Sequence, residues 1–261
     1  YEFKNMQDSE INRRKKLSDQ RKAFWQSLIS KKYLNVKLVF VSEYFKNEFV
    51  TDICNGEDDF NYEIIHNYID DELFPYYEKK SEQAYNVLSV RPFSSLTYAN
   101  DLTVKAILEL SKDPDFEKFQ FTIVGDGALF DETIAPIKHF KNVTLRKEFL
   151  SQEQIAQLHR EHGVFLVPTR MDTQGVSRGE ATSSGLVAVT TDVAAVSEFV
   201  SSDDGILVGA EDYKALATGL LELSKKLGVF SRLSENGSKR VSEQCSFSNT
   251  INKELRMIND K

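Results

Sequence analysis

The sequence predicts an α/β domain built on a Rossmann-like, doubly wound parallel sheet. From residue 87 onward, short runs rich in β-branched residues alternate with stretches of helical periodicity, which is typical of parallel strands joined by helices. Ser151 with Gln154 forms a capping box, and glycines mark predicted helix ends at Gly163, Gly185 and Gly228. The six predicted strands cover residues 87–90, 121–124, 143–145, 164–167, 186–190 and 206–208.

The elements outside this sheet divide the chain into three parts. Helices are predicted near residues 101–111, 130–140, 151–162, 176–184 and 211–227. The N-terminal stretch contains too little apolar sequence for an independent core, and its predicted elements are a strand at 36–41, a helix near 43–53, an acidic loop at 55–61 and a linker at 66–86. The predicted parts are residues 1–82, the sheet domain at 83–245, and a C-terminal helix at 246–261.

Composition argues against several classes of protein. A net charge of −7 is unlike that of a duplex nucleic-acid-binding protein, so no nucleic-acid partner is expected. No apolar run approaches the roughly 18 residues of a membrane-spanning helix. Cys54 and Cys245 are far apart and belong to no group with ligand spacing, which predicts neither a disulfide framework nor a thiolate metal site and favours the reducing cytoplasm.

The N-terminus differs from the rest of the chain in charge. Residues 1–33 carry nine Lys or Arg against four acids, a balance of +5. A helix there would place Leu17, Phe24, Trp25 and Leu28 on roughly one side. Two interpretations stay open: the helix packs on a neighbouring domain, which is the favoured one, or it contacts an anionic membrane surface.

Residues 168–185 carry the strongest functional signal. They follow a predicted strand and run into a predicted helix, and their carboxylates Asp172 and Glu180 are eight residues apart. In a doubly wound sheet, ligands bind at the carboxyl ends of the strands, and a helix N-terminus presents free N–H groups to a phosphate. The loop at 174–177 is placed to bind phosphate, while carboxylates can accept hydrogen bonds from sugar hydroxyls.

This segment resembles the signature of retaining glycosyltransferases of family 4, which have the two-domain GT-B fold. That signature is two Glu separated by seven residues; Asp172 stands at the first position and Glu180 at the second. Other stretches resemble the family in the same order: 66–74 the interdomain element, 87–91 the first donor-domain strand, 121–127 a strand with a Gly-x-Gly turn, 142–153 the base-holding loop, and 193–199 the Gly-Gly-x-x-Glu loop. The resemblance extends from about residue 36 to 250.

The resemblance implies a role for each matching residue. Arg91 would stabilise the departing diphosphate, Glu180 would hold the ribose, and Asp172 would orient the donor sugar. The other residues implied in donor binding are Gly125, Gly127, Phe149, Arg170, Gln174, Gly175, Val176, Ser177, Arg178 and Glu198.

One position departs from the family. A Lys that also holds the diphosphate usually follows the Arg by six or seven residues, but Thr97 and Tyr98 occupy that place here. Since Arg binds phosphate oxygens bidentately, we hypothesise that Arg170 or Arg178 supplies the missing charge.

The resemblance also implies the reaction. We expect a hexosyltransferase-like enzyme that takes a UDP-, GDP- or ADP-sugar and transfers the sugar, with retention and without a metal or other cofactor, to a glycan or lipid-linked glycan. The expected setting is polysaccharide biosynthesis in the cytoplasm, with peripheral contact at the inner face of the membrane left open. Residues 1–82 would be the end of an acceptor domain whose remainder is missing, so this chain alone would bind donor but transfer little.

Other functions are compatible with parts of the sequence. A non-catalytic nucleotide-sugar-binding or interaction module of the same fold is the main alternative, and a GT-B epimerase or phosphorylase is a second. A dehydrogenase is disfavoured because the turn at 125–127 lacks the spacing of a dinucleotide fingerprint. His159 and His162 could suggest a metal, but a role at a helix end is favoured because no ligand set completes them.

Overall fold

The computed structural model describes residues 8–31, 33–34, 36–57 and 59–259. Three residues that were counted in the charge balance of residues 1–33 lie outside these ranges: Glu2, Lys4 and Lys32. The described strands are β1 (Lys37–Phe40), β2 (Asn61–Ile64), β3 (Asn86–Val90), β4 (Gln120–Gly125), β5 (Val143–Lys147), β6 (Val164–Leu166), β7 (Val187–Thr191) and β8 (Gly205–Val208). The described helices are α1 (Asp8–Ser30), α2 (Glu43–Ile53), α3 (Asn100–Leu110), α4 (Phe130–Ile134), α5 (Gln152–Glu161), α6 (Val176–Ser183), α7 (Val196–Phe199), α8 (Tyr213–Lys225), α9 (Leu227–Cys245) and α10 (Ile251–Asn259).

The predicted doubly wound sheet is confirmed. Its six strands are all parallel and lie in the order β5-β4-β3-β6-β7-β8. Within this sheet the chain passes first through β3, then outward through β4 and β5. It then returns to form β6 on the other side of β3. The strand order therefore reverses between β3 and β6, which is where such sheets open a crevice.

Both faces of the sheet are covered. In β3, Val87 belongs to a buried cluster that includes residues of α3 and α8, whereas Leu88 belongs to a second cluster with Leu158 of α5 and Ala181 of α6. Successive side chains of a strand point to opposite faces, so a strand buried on both faces is apolar along its whole length. This is why β6 is recognisable in the sequence as an unbroken apolar run and β7 as a run of apolar and β-branched residues.

The N-terminal elements form a smaller unit. β1 and β2 pair in parallel as a two-stranded sheet, with α2 between them in the chain. Aromatic rings fill the space under α2: Phe40 and Phe49 lie 5.2 Å apart, and Trp25 of α1 packs on Phe49 at 5.7 Å. β2 was not predicted: Asn61 was placed in the acidic loop and residues 62–64 were assigned to no element, because Asn61 and Glu63 interrupt the apolar pattern.

Two helical predictions are corrected. Gly228 does not end a helix, because α8 stops at Lys225 and Gly228 lies in the first turn of the long helix α9, which was not predicted. The helix predicted near 130–140 is shorter: α4 is followed by a 3-10 turn at Ala135–Ile137, since Pro136 cannot continue the α-helical hydrogen bonding. Among the described residues, no helix combines the length and apolar character needed to cross a lipid bilayer.

Candidate functional site

The crevice between β3 and β6 brings together the segments that the sequence singled out. Residues 91–99 leave the carboxyl end of β3, and residues 167–175 leave the carboxyl end of its parallel neighbour β6. The second segment leads directly into the N-terminus of α6. Arg91 and Asp172 lie in these segments and Glu180 lies in α6, so the sheet topology alone places these three residues at one edge of the sheet.

Arg91 is a buried cation at the start of the crevice. It is 7% exposed, and its backbone N–H donates to the Val124 carbonyl at 3.0 Å, which extends the β3–β4 ladder by one residue. Its guanidinium lies over the ring of Tyr98, 5.0 Å from the centroid. Burial lowers the pKa of Arg91, an effect that the Asp172 carboxylate opposes, and the Nε–H has no protein hydrogen-bond partner. A buried guanidinium with a free donor is suited to bind an anion.

The loop before α6 is shaped by Asp172 and Gly175. The Asp172 carboxylate accepts a hydrogen bond from the Gln174 N–H at 3.1 Å, which forms a local turn. Gly175 then adopts a left-handed conformation with φ of +83°, and α6 begins at Val176. Because the first N–H groups of a helix have no partner within it, the amides of Val176 and Ser177 form a donor set beside Asp172.

Arg178 is buried beneath this loop and stabilises it by a hydrogen bond to the loop backbone. It is 2% exposed, and its guanidinium donates to the Gln174 carbonyl. Burial lowers its pKa to about 10, Asp172 opposes this shift, and Arg91 adds to it. Two buried guanidinium groups thus act electrostatically on one carboxylate, and the local excess of positive charge favours an anionic ligand.

Glu180 lies one turn into α6 and is partly buried. Burial raises the pKa of its carboxyl group to about 7, while a hydrogen bond with the side chain of Gln152 at the start of α5 lowers it. The carboxylate therefore faces the gap between α5 and α6, on the side of the β5–α5 loop. Phe149 in that loop is 77% exposed, so its ring is open to contact by a ligand.

Gly125 and Gly127 act through close packing of two loops. A Cβ at Gly125 would lie 1.9 Å from the Arg91 carbonyl oxygen, and one at Gly127 would lie 2.3 Å from the Phe93 carbonyl carbon. Phe93 and Asp126 join the same loops through a backbone hydrogen bond of 2.8 Å. The glycines thus let the β4–α4 loop press against the residues that follow β3, and so fix the backbone of Arg91.

Gly125→Ala is expected to lower the free energy of unfolding by about 1–3 kcal/mol, because the new methyl group overlaps backbone that cannot move independently of the sheet. Chemical denaturation would measure the effect. Gly209→Ala is the control, since its Cβ would meet nothing within 4 Å, and it should change stability by less than about 0.5 kcal/mol. Equal losses for the two variants would contradict the packing role of Gly125.

Three residues predicted to bind the donor, Arg170, Gln174 and Glu198, make hydrogen bonds within the protein. The Arg170 guanidinium donates hydrogen bonds to the carboxylates of Asp101 and Glu211, with N–O distances of 2.6–3.0 Å. Its guanidinium is therefore engaged in ion pairs, whereas the buried guanidinium of Arg178 is repelled by the charge of Arg91. These ion pairs could not be predicted from the sequence, because Asp101 and Glu211 are distant from Arg170 in the chain.

Gln174 and Glu198 connect the crevice to the N-terminal elements. The Gln174 amide exchanges two hydrogen bonds with the backbone of Asn67, at 2.6 and 3.0 Å. The Glu198 carboxylate accepts from the N–H groups of Glu43 and Tyr44, at 2.9 and 2.7 Å, and so caps the N-terminus of α2. Both side chains position segments around the crevice, and their hydrogen-bonding groups are already partly used within the protein.

The loop at 192–195 lies against Asp172 and contains a strained residue. The Ala195 N–H donates to the Asp172 carbonyl at 3.1 Å. Ala194 adopts φ of +52°, a left-handed conformation that disfavours a side chain. The family resembled by the sequence has Gly-Gly in this loop, and the backbone conformation gives the physical reason for at least one of them.

Ala194→Gly is expected to raise the free energy of unfolding by about 0.5–1 kcal/mol, since relief of the left-handed strain outweighs the added chain entropy of glycine. Ala215→Gly, in the regular helix α8, should instead lower it by about 1 kcal/mol. Thermal denaturation of both variants checks the opposite signs, and a loss at Ala194 would refute the strain.

His159 of α5 and His162, which follows α5, are both buried inside the fold. His162 hydrogen-bonds through Nδ1 with the Leu158 carbonyl at 2.7 Å and through Nε2 with the Thr122 hydroxyl at 2.9 Å. His159 is buried, and burial lowers its pKa to about 3. Within the part of the chain that the structure describes, no group of three or more His, Cys, Asp or Glu could hold a metal ion.

Comparison with known proteins identifies a family. The sequence profile of the glycosyl transferases of group 1 matches residues 86–226, which span the sheet from β3 to α8. None of the curated proteins matches the chain.

Solved structures share the fold. A TarM variant from S. aureus, in complex with fondaparinux, α-GlcNAc-glycerol and UDP, has a TM-score of 0.70 at 19% identity over 85% of this chain and 43% of its own. Sucrose-phosphate synthase from Thermosynechococcus elongatus gives 0.77 at 16% identity over 93% and 61%. Anabaena HepE, in complex with UDP and glucose, gives 0.72 at 13% identity over 92% and 68%. The chain thus spans about half of the length of the first two proteins.

Proposed function

Because the chain belongs to the glycosyl transferases of group 1, we propose that the crevice between β3 and β6 binds the nucleotide-diphosphate sugar of a retaining glycosyltransferase. The observation that carries this proposal is Arg91, a buried cation with an unpaired donor beside the N-terminus of α6. Both features bind phosphate, and both lie at the reversal of strand order. The complexes of TarM and HepE with UDP agree with this type of ligand.

In the proposed complex, Arg91 and the amides of Gly175, Val176 and Ser177 hold the diphosphate. Each contributes a donor that is already oriented, so little reorganisation accompanies binding. When the bond between the sugar C1 and the diphosphate breaks, its electron pair stays on the phosphate oxygen. Positive charge at that oxygen stabilises the leaving group, which is the task that a metal ion performs in other enzymes. We therefore propose a metal-independent reaction.

The carboxylates of Asp172 and Glu180 accept hydrogen bonds from the hydroxyl groups of the donor. Glu180 faces the β5–α5 loop and is assigned to the ribose, with Phe149 of that loop on the base side. Asp172 is electrostatically coupled to Arg91 and is assigned to the sugar next to the diphosphate. Arg178 acts as support for the loop, and Gly125 and Gly127 give Arg91 its backbone position.

The proposal also covers the acceptor of the sugar and the domain that would bind it. TarM and sucrose-phosphate synthase are longer than this chain, and β1, β2 and α2 here form only a small unit. We propose that these elements end an acceptor domain, that the acceptor is a glycan or lipid-linked glycan, and that the pathway is cytoplasmic polysaccharide biosynthesis. Residues 12–21 of α1 are exposed and carry several Lys and Arg, which supports peripheral contact with an anionic membrane surface.

Isothermal titration calorimetry of the chain with UDP, GDP and ADP tests donor binding. We expect one of them to bind, and binding to fall sharply in Arg91→Met but not in Arg232→Met, whose side chain is exposed on α9. Binding by none would refute the proposal. The alternative of a non-catalytic binding module is tested separately by sugar transfer: the whole protein should transfer the sugar, whereas this chain alone should bind donor and transfer little.

A further inference from the structure

Tyr98 holds the guanidinium of Arg91. The Arg91 Cζ lies over the Tyr98 ring at 5.0 Å, within the range of a cation–π contact. A ring that covers one face of a guanidinium fixes its plane but uses none of its N–H donors, which lie in that plane. The Nε–H of Arg91 is buried and has no partner in the protein, so the ring orients the cation without occupying its N–H donors.

The turn that carries Tyr98 is not a stable structure by itself. It is a 3-10 turn of three residues, Leu96–Tyr98, preceded by Ser95, whose hydroxyl accepts from the Thr97 N–H at 3.1 Å. It ends at Ala99, which has φ of +50°. A left-handed alanine persists only where its surroundings determine the conformation. Contacts from outside the turn must therefore hold it.

Arg170 supplies those contacts. Its backbone N–H donates to the Thr97 carbonyl at 2.9 Å, and its Nη1 donates to the Leu96 carbonyl at 2.7 Å. The same guanidinium is anchored by Asp101 at 2.7 and 3.0 Å and by Glu211 at 2.6 and 2.9 Å. One buried side chain thus joins the start of α3, the approach to α8 and the turn that carries Tyr98.

We infer that Arg170 and Tyr98 are positioning residues for the diphosphate of the donor. Arg170 fixes the turn, the turn presents the Tyr98 ring, and the ring holds the Arg91 guanidinium toward the crevice. This inference rests on the proposed function, since it requires that Arg91 binds the diphosphate. It assigns Arg170 a part in donor binding without contact, and it explains how an aromatic residue serves at a position where the resembled family has a Lys.

Two substitutions of Tyr98 have different expected effects on UDP affinity, because only one of them keeps the aromatic ring. Tyr98→Phe keeps the aromatic face and should leave UDP affinity within about twofold of wild type. Tyr98→Leu removes the face and should weaken UDP binding roughly five- to thirtyfold. Arg170→Lys should cause a loss of similar size, because an ammonium cannot bridge two carboxylates and a carbonyl in one plane. Arg240→Lys is the matched control, as Arg240 pairs with Asp204 away from the crevice.

The deciding measurement compares UDP with uridine. The dissociation constant of UDP is measured by calorimetry and that of uridine by ligand-observed NMR, for wild type, Tyr98→Phe, Tyr98→Leu, Arg170→Lys and Arg240→Lys. If GDP or ADP is the nucleotide that binds, guanosine or adenosine replaces uridine. We expect Tyr98→Leu and Arg170→Lys to lose affinity for the nucleoside diphosphate but to keep that for the nucleoside, because the effect passes through Arg91.

Three results would overturn the inference: unchanged UDP affinity in Tyr98→Leu, equal losses in Tyr98→Phe and Tyr98→Leu, or equal losses for UDP and uridine. The last would mean that the turn has only a general structural role. If Arg170→Lys does not fold, Tyr98→Leu decides the question alone. Failure of the proposed function is distinct, since wild type would then bind none of the three nucleoside diphosphates.

Discussion

Arg91→Met is expected to weaken binding of UDP by at least about 100-fold. A hydrogen bond between charged groups contributes about 1.5–3 kcal/mol, and a guanidinium in contact with the Tyr98 ring can direct two of them at a diphosphate. The loss of both therefore amounts to about 3–6 kcal/mol, or more than two orders of magnitude in affinity. Arg178 cannot replace the lost charge, because its guanidinium lies beneath the loop and donates to the Gln174 carbonyl.

The same substitution should not destabilise the fold. Burial lowers the pKa of Arg91, which means that the protein disfavours its charged form, and methionine fills similar volume without a charge. The melting temperature of Arg91→Met should therefore equal or exceed that of wild type in the absence of ligand. A variant with near-normal UDP affinity, or one that loses affinity only because it unfolds, would contradict the role assigned to Arg91. Arg232→Met, on the surface of α9, controls for loss of an arginine as such.

The sheet was predictable because its strands are buried on both faces. Each of the six predicted strands overlaps an observed strand of the larger sheet and differs by no more than two residues at either end. β6 is apolar throughout, β7 begins with three apolar residues and ends in two β-branched threonines, and turn residues mark the ends of such strands. The elements that were missed lack such a signal: β2 alternates polar and apolar residues near an acidic loop, and α9 contains Gly228 and Gly237, which suppress helical propensity.

The placement of Arg91 and Asp172 at one edge of the sheet, with Glu180 in the helix that follows, was also predictable, because parallel strands have their carboxyl ends at one edge. The contacts of other residues were not. Glu198 binds backbone 154 and 155 residues away, and Gln174 binds backbone 107 residues away. Local spacing carries no information on such partners, so a motif could not show that these side chains already had hydrogen-bond partners within the protein.

The role of Arg170 shows the same limit in more detail. Its position in a loop beside the predicted phosphate site made it a candidate for donor contact. The carboxylates that bind it come from α3 and from the residue before Asp212, at sequence separations of 69 and 41 residues. Only the fold reveals that its charge is matched by Asp101 and Glu211, and that its effect on the crevice passes through the turn at Leu96–Tyr98.

Glu180 should make donor binding depend on pH. Burial raises the pKa of its carboxyl group to about 7 in the free protein. The ionised carboxylate is the stronger acceptor for two ribose hydroxyls, so binding favours that form and lowers the pKa in the complex. Affinity must then rise as pH increases through 7, by at most about tenfold between pH 6 and pH 8. UDP-glucose is the suitable probe, because its esterified diphosphate lacks the phosphate ionisation near pH 6.

Glu180→Gln is expected to weaken UDP-glucose binding roughly ten- to a hundredfold at pH 8 and to remove most of the pH dependence. Calorimetry at pH 6, 7 and 8 on wild type and variant measures both effects. Glu161→Gln, in α5 but with its side chain paired to Gln157, is the control and should retain the wild-type pH profile. An unchanged pH profile in Glu180→Gln would refute the assignment of this carboxylate to the ribose.

The stability of the free protein should change in the opposite direction. The folded pKa of Glu180 lies above the unfolded value of 4.5, so stability is lost as pH rises from about 4.5 through 7, where the folded protein must ionise a partly buried group. Glu180→Gln removes this loss, and its melting temperature should exceed that of wild type at pH 8 by more than at pH 5.5. A carboxylate that destabilises the free fold and strengthens ligand binding is what a donor-binding site requires, whereas a purely structural carboxylate would stabilise the fold at pH 8.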